Sequence, residues 1–257
     1  MTFTRFVAIG DSLTEGKGDV HPDGRLRGFA DLLAQVLCEL DGRAAYANLA
    51  RPSVRVHEVV ARQVPEATAF EPDLITAIAG VNDAIAFAFP ASSVALGMQR
   101  LFAGLRSGAP QATIVTATLP DLAHISGVAR MWRRRVAALN EATRQAAAAH
   151  GVCVVDLARA EPMARDELAM DRVHPSPLGH LRFARAFAEV LDLPAPQPAY
   201  LQARPRAEQL RRMYRTAVVA PRFLVKRMAR DALIASQPPK LPELQRVFSG
   251  PPDAVHL

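Results

Sequence analysis

Three short segments hold side chains that could carry out acyl transfer. Gly10-Asp11-Ser12-Leu13-Thr14-Glu15-Gly16 offers a serine, and Gly80-Val81-Asn82-Asp83 an asparagine. Asp171-Arg172-Val173-His174-Pro175 offers an aspartate and a histidine three residues apart. A serine hydroxyl is a weak nucleophile and needs a neighbouring base to take its proton. His174 can be that base if a carboxylate fixes its tautomer and stabilises the imidazolium, and Asp171 on the same turn is placed to do so. The carbonyl under attack develops negative charge. The Ser12 backbone N–H and the Asn82 side-chain amide are candidate donors to it.

Elements of the chain must bring these segments together. Ahead of residue 192, short β-rich runs alternate with longer helical patterns. The patterning predicts strands at 3–9, 44–49, 74–79, 113–117 and 152–156. Helices are predicted at 29–40, 54–69, 92–106, 128–150 and 177–191. Thr113-Ile-Val-Thr-Ala and Val152-Cys-Val-Val-Asp are near-continuous apolar runs, as strands covered on both faces should be. The expected architecture is α/β: a three-layer α/β/α sandwich on a five-stranded parallel sheet with right-handed crossovers. Such sheets bind ligands beyond the carboxyl ends of their strands, where all three segments fall.

Here the chain resembles the SGNH hydrolases, also called GDSL esterases/lipases. GDSLTEG matches the first family block with Ser12 at the nucleophile position, and GVND the third with Asn82 in the oxyanion hole. DRVHP matches the fifth, with Asp171 and His174 completing a triad. The blocks stand in family order over nearly all of residues 4–190. The resemblance implies a flavodoxin-like fold and a serine esterase working through an acyl-enzyme without metal or cofactor. Its small-molecule substrate would be a lipid ester, a thioester or an O-acetyl sugar. One block departs. After the second strand the family supplies a glycine whose N–H is a further oxyanion donor, whereas this chain reads Asn48-Leu49-Ala50-Arg51-Pro52-Ser53-Val54. Ser53 is the equivalent. It keeps the N–H but lacks a glycine's freedom at positive φ, and losing one oxyanion donor costs about 10²–10³ in rate.

That departure motivates the rival reading, a catalytically weak binding or scaffold protein on the same fold. Other chemistries fit less well. A phosphate loop starting at Gly10 would need Ser or Thr where Gly18 stands, and no G-x-S-x-G elbow occurs. Asp83 is expected to cap a turn, and Asp11 to hydrogen-bond locally. His57, His124 and His150 show no partner motif, and His180 is expected to face packing or a turn. Cys38 and Cys153, each among apolar neighbours, read as buried thiols rather than as a metal site. Two loops, 17–27 and 120–127, are expected to wall the pocket. Neither carries a long apolar face, which weighs against a long-chain lipase.

The formal charge of +6 is uneven. Residues 1–192 carry 20 Lys and Arg against 21 Asp and Glu, and residues 193–257 carry 11 against 4. Ten of the 20 prolines also lie in that second segment, so a boundary is expected near residue 192 between a hydrolase domain and a basic extension. Residues 207–236 have amphipathic helical spacing, suited to packing on the body, an acidic partner or a membrane surface. The body is neither basic nor rich in stacking aromatics, so no nucleic acid is expected. No charged segment followed by an apolar run opens the chain, and the expected location is cytoplasmic.

Overall fold

In the computed structural model the described residues are 3–21, 24–198 and 248–249. Five parallel strands run through them: β1 (Arg5–Gly10), β2 (Ala45–Asn48), β3 (Leu74–Ile78), β4 (Thr113–Ala117) and β5 (Cys153–Val155). A two-residue strand, β6 (Phe248–Ser249), lies antiparallel to β2, giving the order β5-β4-β3-β1-β2-β6. The parallel part is the predicted five-stranded sheet, and its order reverses between β1 and β3. β3 is buried along its whole length, as its unbroken Leu-Ile-Thr-Ala-Ile run requires of a strand covered on both faces.

Four long or composite helical connections link the strands. They are α2 (Phe29–Leu40), the stretch α3 (Val56–Glu58) to α4 (Val64–Ala69), α6 (Ala91–Gly108) and α7 (Gly127–Ala149). The helix α8 (Pro177–Val190) closes the body. Two helices too short to show a periodic pattern, α1 (Ser12–Glu15) and α5 (Val81–Ala84), follow β1 and β3 directly. Right-handed crossovers send α2 to one face and α4, α6 and α7 to the other, because the winding direction reverses at β2. Contacts agree: α2 packs on α8, while α6 packs on α4 and α7. Phe29 stacks on Phe187 at 4.9 Å between ring centres, seaming α2 to α8.

Between α3 and α4 the helix widens for one turn, Val59–Gln63, where the Val64 N–H donates to the Val59 carbonyl. Among the described residues no helix is long and apolar enough to cross a membrane. Two expectations change. Cys153 is exposed, because β5 is an edge strand, and Cys38 is only half-buried. The amphipathic helical segment expected at residues 207–236 lies outside the described residues.

His180 is fully buried on α8 and ties the 17–27 loop to α2. The Phe29 N–H donates to its Nδ1, and its Nε2–H donates to the Lys17 carbonyl. Burial holds its pKa down at about 4, against 6.5 in the open. The unfolded chain therefore binds this proton first as pH falls. Stability conferred by the neutral ring is complete above pH 6.5 and drains away toward pH 4, by about 3 kcal/mol. Asp31, held up at about 6 by burial, acts in the opposite sense between pH 3.8 and 6. His180→Gln isolates the histidine. Urea unfolding should show the wild-type advantage at pH 7 shrinking by that amount at pH 4, whereas parallel losses in both proteins would refute the link.

Candidate active site

The nucleophile segment turns sharply because β1 ends at a glycine. Gly10 has φ 148°, and a Cβ there would lie 2.2 Å from the Ile78 carbonyl oxygen. Asp11 then caps α1, accepting the Leu13 N–H at 3.0 Å through Oδ1, which is the local role expected of it. This leaves Ser12 as the first residue of α1, buried at the carboxyl end of the sheet. Asp171 and His174 reach the same spot from the turn ahead of α8.

The Ser12 hydroxyl donates to His174 Nε2 at 2.8 Å, and His174 Nδ1–H donates to Asp171 Oδ2 at 2.6 Å. The direction follows from charge. Burial opposes ionisation of Asp171, but the His174 hydrogen bond and charge, with the His174 and Val173 N–H groups on Oδ1, outweigh it and lower its pKa to about 2. An ionised carboxylate only accepts, so in the neutral ring Nδ1 must carry the proton and Nε2 its lone pair. That is the tautomer able to receive the serine proton.

Asn82, on α5 after β3, is buried with its Nδ2 donating to the Val54 carbonyl at 2.9 Å. Asp83 Oδ2 accepts the Val56 N–H at 3.0 Å, so it caps the start of α3 rather than its own helix. Both bonds tie the β3 edge to the segment after Ser53. Ser53 itself is exposed at φ 65°. It takes up the left-handed backbone that a glycine would favour, at a cost of about 1–2 kcal/mol for an L-residue. Ser12, Asn82, Asp171 and His174 thus converge on the carboxyl end of the sheet, with Ser53 joined to Asn82 through Val54.

A cavity of about 280 Å³ lies against their chain neighbours Leu13, Val81, Arg172 and Val173, although Ser12, Asn82, Asp171 and His174 do not themselves line it. Its walls include Leu13, Val81, Trp132, Val136, Met163 and Phe183, with Arg172 and Val173 from the His174 turn. Pro120, Asp121 and Leu122 of the 120–127 loop line it as expected, but no described residue of the 17–27 loop does. That loop packs elsewhere: a Cβ on Gly18 would strike the Pro175 carbonyl at 1.9 Å, so it braces the His174 turn from behind. The apolar walls escape notice in the sequence because they are scattered over four helices and the loops between them. Among the described residues no group of three or more His, Cys, Asp or Glu could hold a metal ion.

Residues the motifs do not name fix the strand ends. Gln63 is buried in the widened turn, and its amide accepts the Gly10 N–H at 2.7 Å and donates to the Gly10 carbonyl at 2.9 Å. Asn140 on α7 does the same for Leu119, at 2.7 and 2.8 Å. Their signal in the sequence is a polar residue on a buried helical stripe, such as Gln63 in line with Val56, Val59 and Ala67. Losing the Gln63 bonds frees the strand end that carries Ser12, and misplacing a nucleophile by about 1 Å can cost about 10²-fold. Gln63→Leu should therefore lower kcat for a nitrophenyl ester by about 10–100-fold with KM little changed, read by steady-state kinetics. An unaltered kcat would make the amide merely structural.

The GDSL-like Lipase/Acylhydrolase family model matches residues 8–182. No curated protein matches the chain. Among solved structures it is similar to a lipase/acylhydrolase from Enterococcus faecalis, at TM-score 0.58 and 20% identity over 76% of this chain and 100% of that one. An acetyl xylan esterase from Geobacillus stearothermophilus superposes at TM-score 0.58 and 18% identity, covering 77% and 100%. An alpha/beta hydrolase enzyme from the Lake Arreo metagenome gives 0.59 and 22%, covering 74% and 95%. At these identities the structures share a fold, and the family model supplies the kinship: the chain belongs to the GDSL-like Lipase/Acylhydrolase family.

Proposed function

We propose that this hydrolase is a serine esterase that cleaves carboxylic esters through an acyl-enzyme on Ser12. The observation that carries the reading is the unbroken hydrogen-bonded line from Ser12 through His174 to Asp171. Ser12 Oγ attacks the carbonyl as its proton passes to His174 Nε2. The tetrahedral oxyanion is held by the Ser12 and Ser53 N–H groups and the Asn82 amide. Collapse expels the alcohol, which takes its proton from His174. Water then attacks the acyl-enzyme with His174 again as base, releasing the acid and Ser12.

The apolar cavity against Leu13 and Val173, the chain neighbours of Ser12 and His174, supports an aliphatic acyl group rather than acetyl alone. The names of the similar structures include both a lipase and an acetyl xylan esterase, so a sugar O-deacetylase is the second reading. Chain length separates them. Each buried methylene contributes about 0.8 kcal/mol, so 4-nitrophenyl butyrate should exceed acetate in kcat/KM by about tenfold, with octanoate no worse than butyrate. A maximum at acetate would favour deacetylation.

A further inference from the structure

We propose that the acyl group this cavity accepts carries an anionic substituent, recognised by Arg172. This rests on the esterase reading and names its substrate class. The cavity is walled almost wholly by apolar side chains. Its charged lining residues are Asp121, Arg133 and Arg172. Asp121 and Arg133 neutralise each other in an ion pair at 2.7 Å. Arg172 is different. It is half-buried, and no hydrogen bond or ion pair among the described residues engages its guanidinium.

A guanidinium on an apolar wall with no acceptor among its described neighbours keeps its donors open to a bound anion. Backbone geometry points the same way. Arg172 sits at φ 54°, a left-handed conformation that a glycine would take without strain. An arginine is kept there at some cost, in the turn between Asp171 and His174 and on the cavity wall. Strain of this kind accompanies sites held for a ligand. A guanidinium binds carboxylate or phosphate by paired hydrogen bonds, and such a bond to a charged group is worth about tenfold or more in affinity.

Trp132 is the single tryptophan of the chain and lines the cavity, so its fluorescence reports binding directly. The test titrates Ser12→Ala protein with monomethyl adipate, whose far end is a carboxylate, and with the neutral methyl hexanoate. The half-ester should bind about tenfold tighter or more. That preference should vanish in Ser12→Ala/Arg172→Gln and survive in part in Ser12→Ala/Arg172→Lys. Loss of packing would weaken both ligands together and leave their ratio intact. Equal or tighter binding of the neutral ester, or a preference that survives Arg172→Gln, overturns the proposal. Because the readout is binding, it stands apart from the esterase reading: that reading fails if intact protein turns over none of these esters, 4-nitrophenyl butyrate included, whatever the binding ratio.

Discussion

Ser12→Ala should lower kcat/KM for 4-nitrophenyl butyrate by about 10⁴-fold or more, leaving at most the rate that the oxyanion donors and binding can supply. The substitution removes the one atom that can form the acyl bond and takes little else. His174 keeps its bond to Asp171, and the Asn82 amide keeps its bond to Val54. Alanine is at home in a helix, so α1 should persist. The folded protein loses one hydrogen bond, worth about 1 kcal/mol. Melting within a few degrees of wild type alongside the kinetic collapse would locate the effect in chemistry. Equal slow turnover by both proteins would favour the idle-site alternative.

Asp171→Asn should cost about 10³–10⁴-fold in kcat while leaving the turn in place. Its Oδ1 can still accept the Val173 and His174 N–H groups. Toward His174 Nδ1 the asparagine can present an N–H, which stabilises the tautomer with the proton on Nε2. A protonated Nε2 cannot take the serine proton. Stability should change in a pH-dependent way as well. With its folded pKa at about 2 against 3.8, the wild-type carboxylate contributes about 2 kcal/mol at neutral pH. That contribution is lost as pH falls below about 4 toward 2. The asparagine lacks this dependence, so the wild-type advantage in urea unfolding should shrink over that window. A kcat loss below about tenfold would remove Asp171 from the orienting role.

The fold was legible because buried parallel strands advertise themselves. Thr113–Ala117 and Phe29–Leu40 fall on the predicted boundaries, being an apolar run and a strongly periodic stretch. The candidate site was legible because its chemistry needs rare residue types in short segments at strand ends. What stayed hidden depends on tertiary approach. Gln63 acts on Gly10 across 53 residues of chain through a widened helical turn that no local pattern marks. The cavity is assembled from residues between Leu13 and Phe183, none conspicuous alone. His180, expected to face packing or a turn, is buried as packing demands but also latches a loop through both ring nitrogens. Cys153 misled because apolar neighbours in sequence do not cover an edge strand.

The most direct test of an activated Ser12 is its covalent capture. Wild-type protein treated briefly with a fluorophosphonate and read by intact mass should gain one adduct, mapped by peptide fragmentation to Ser12. His174→Ala, with no base to take the hydroxyl proton, should gain almost none in the same time. An adduct on another serine, or equal labelling of Ser12 in the two proteins, would contradict a nucleophile activated by His174.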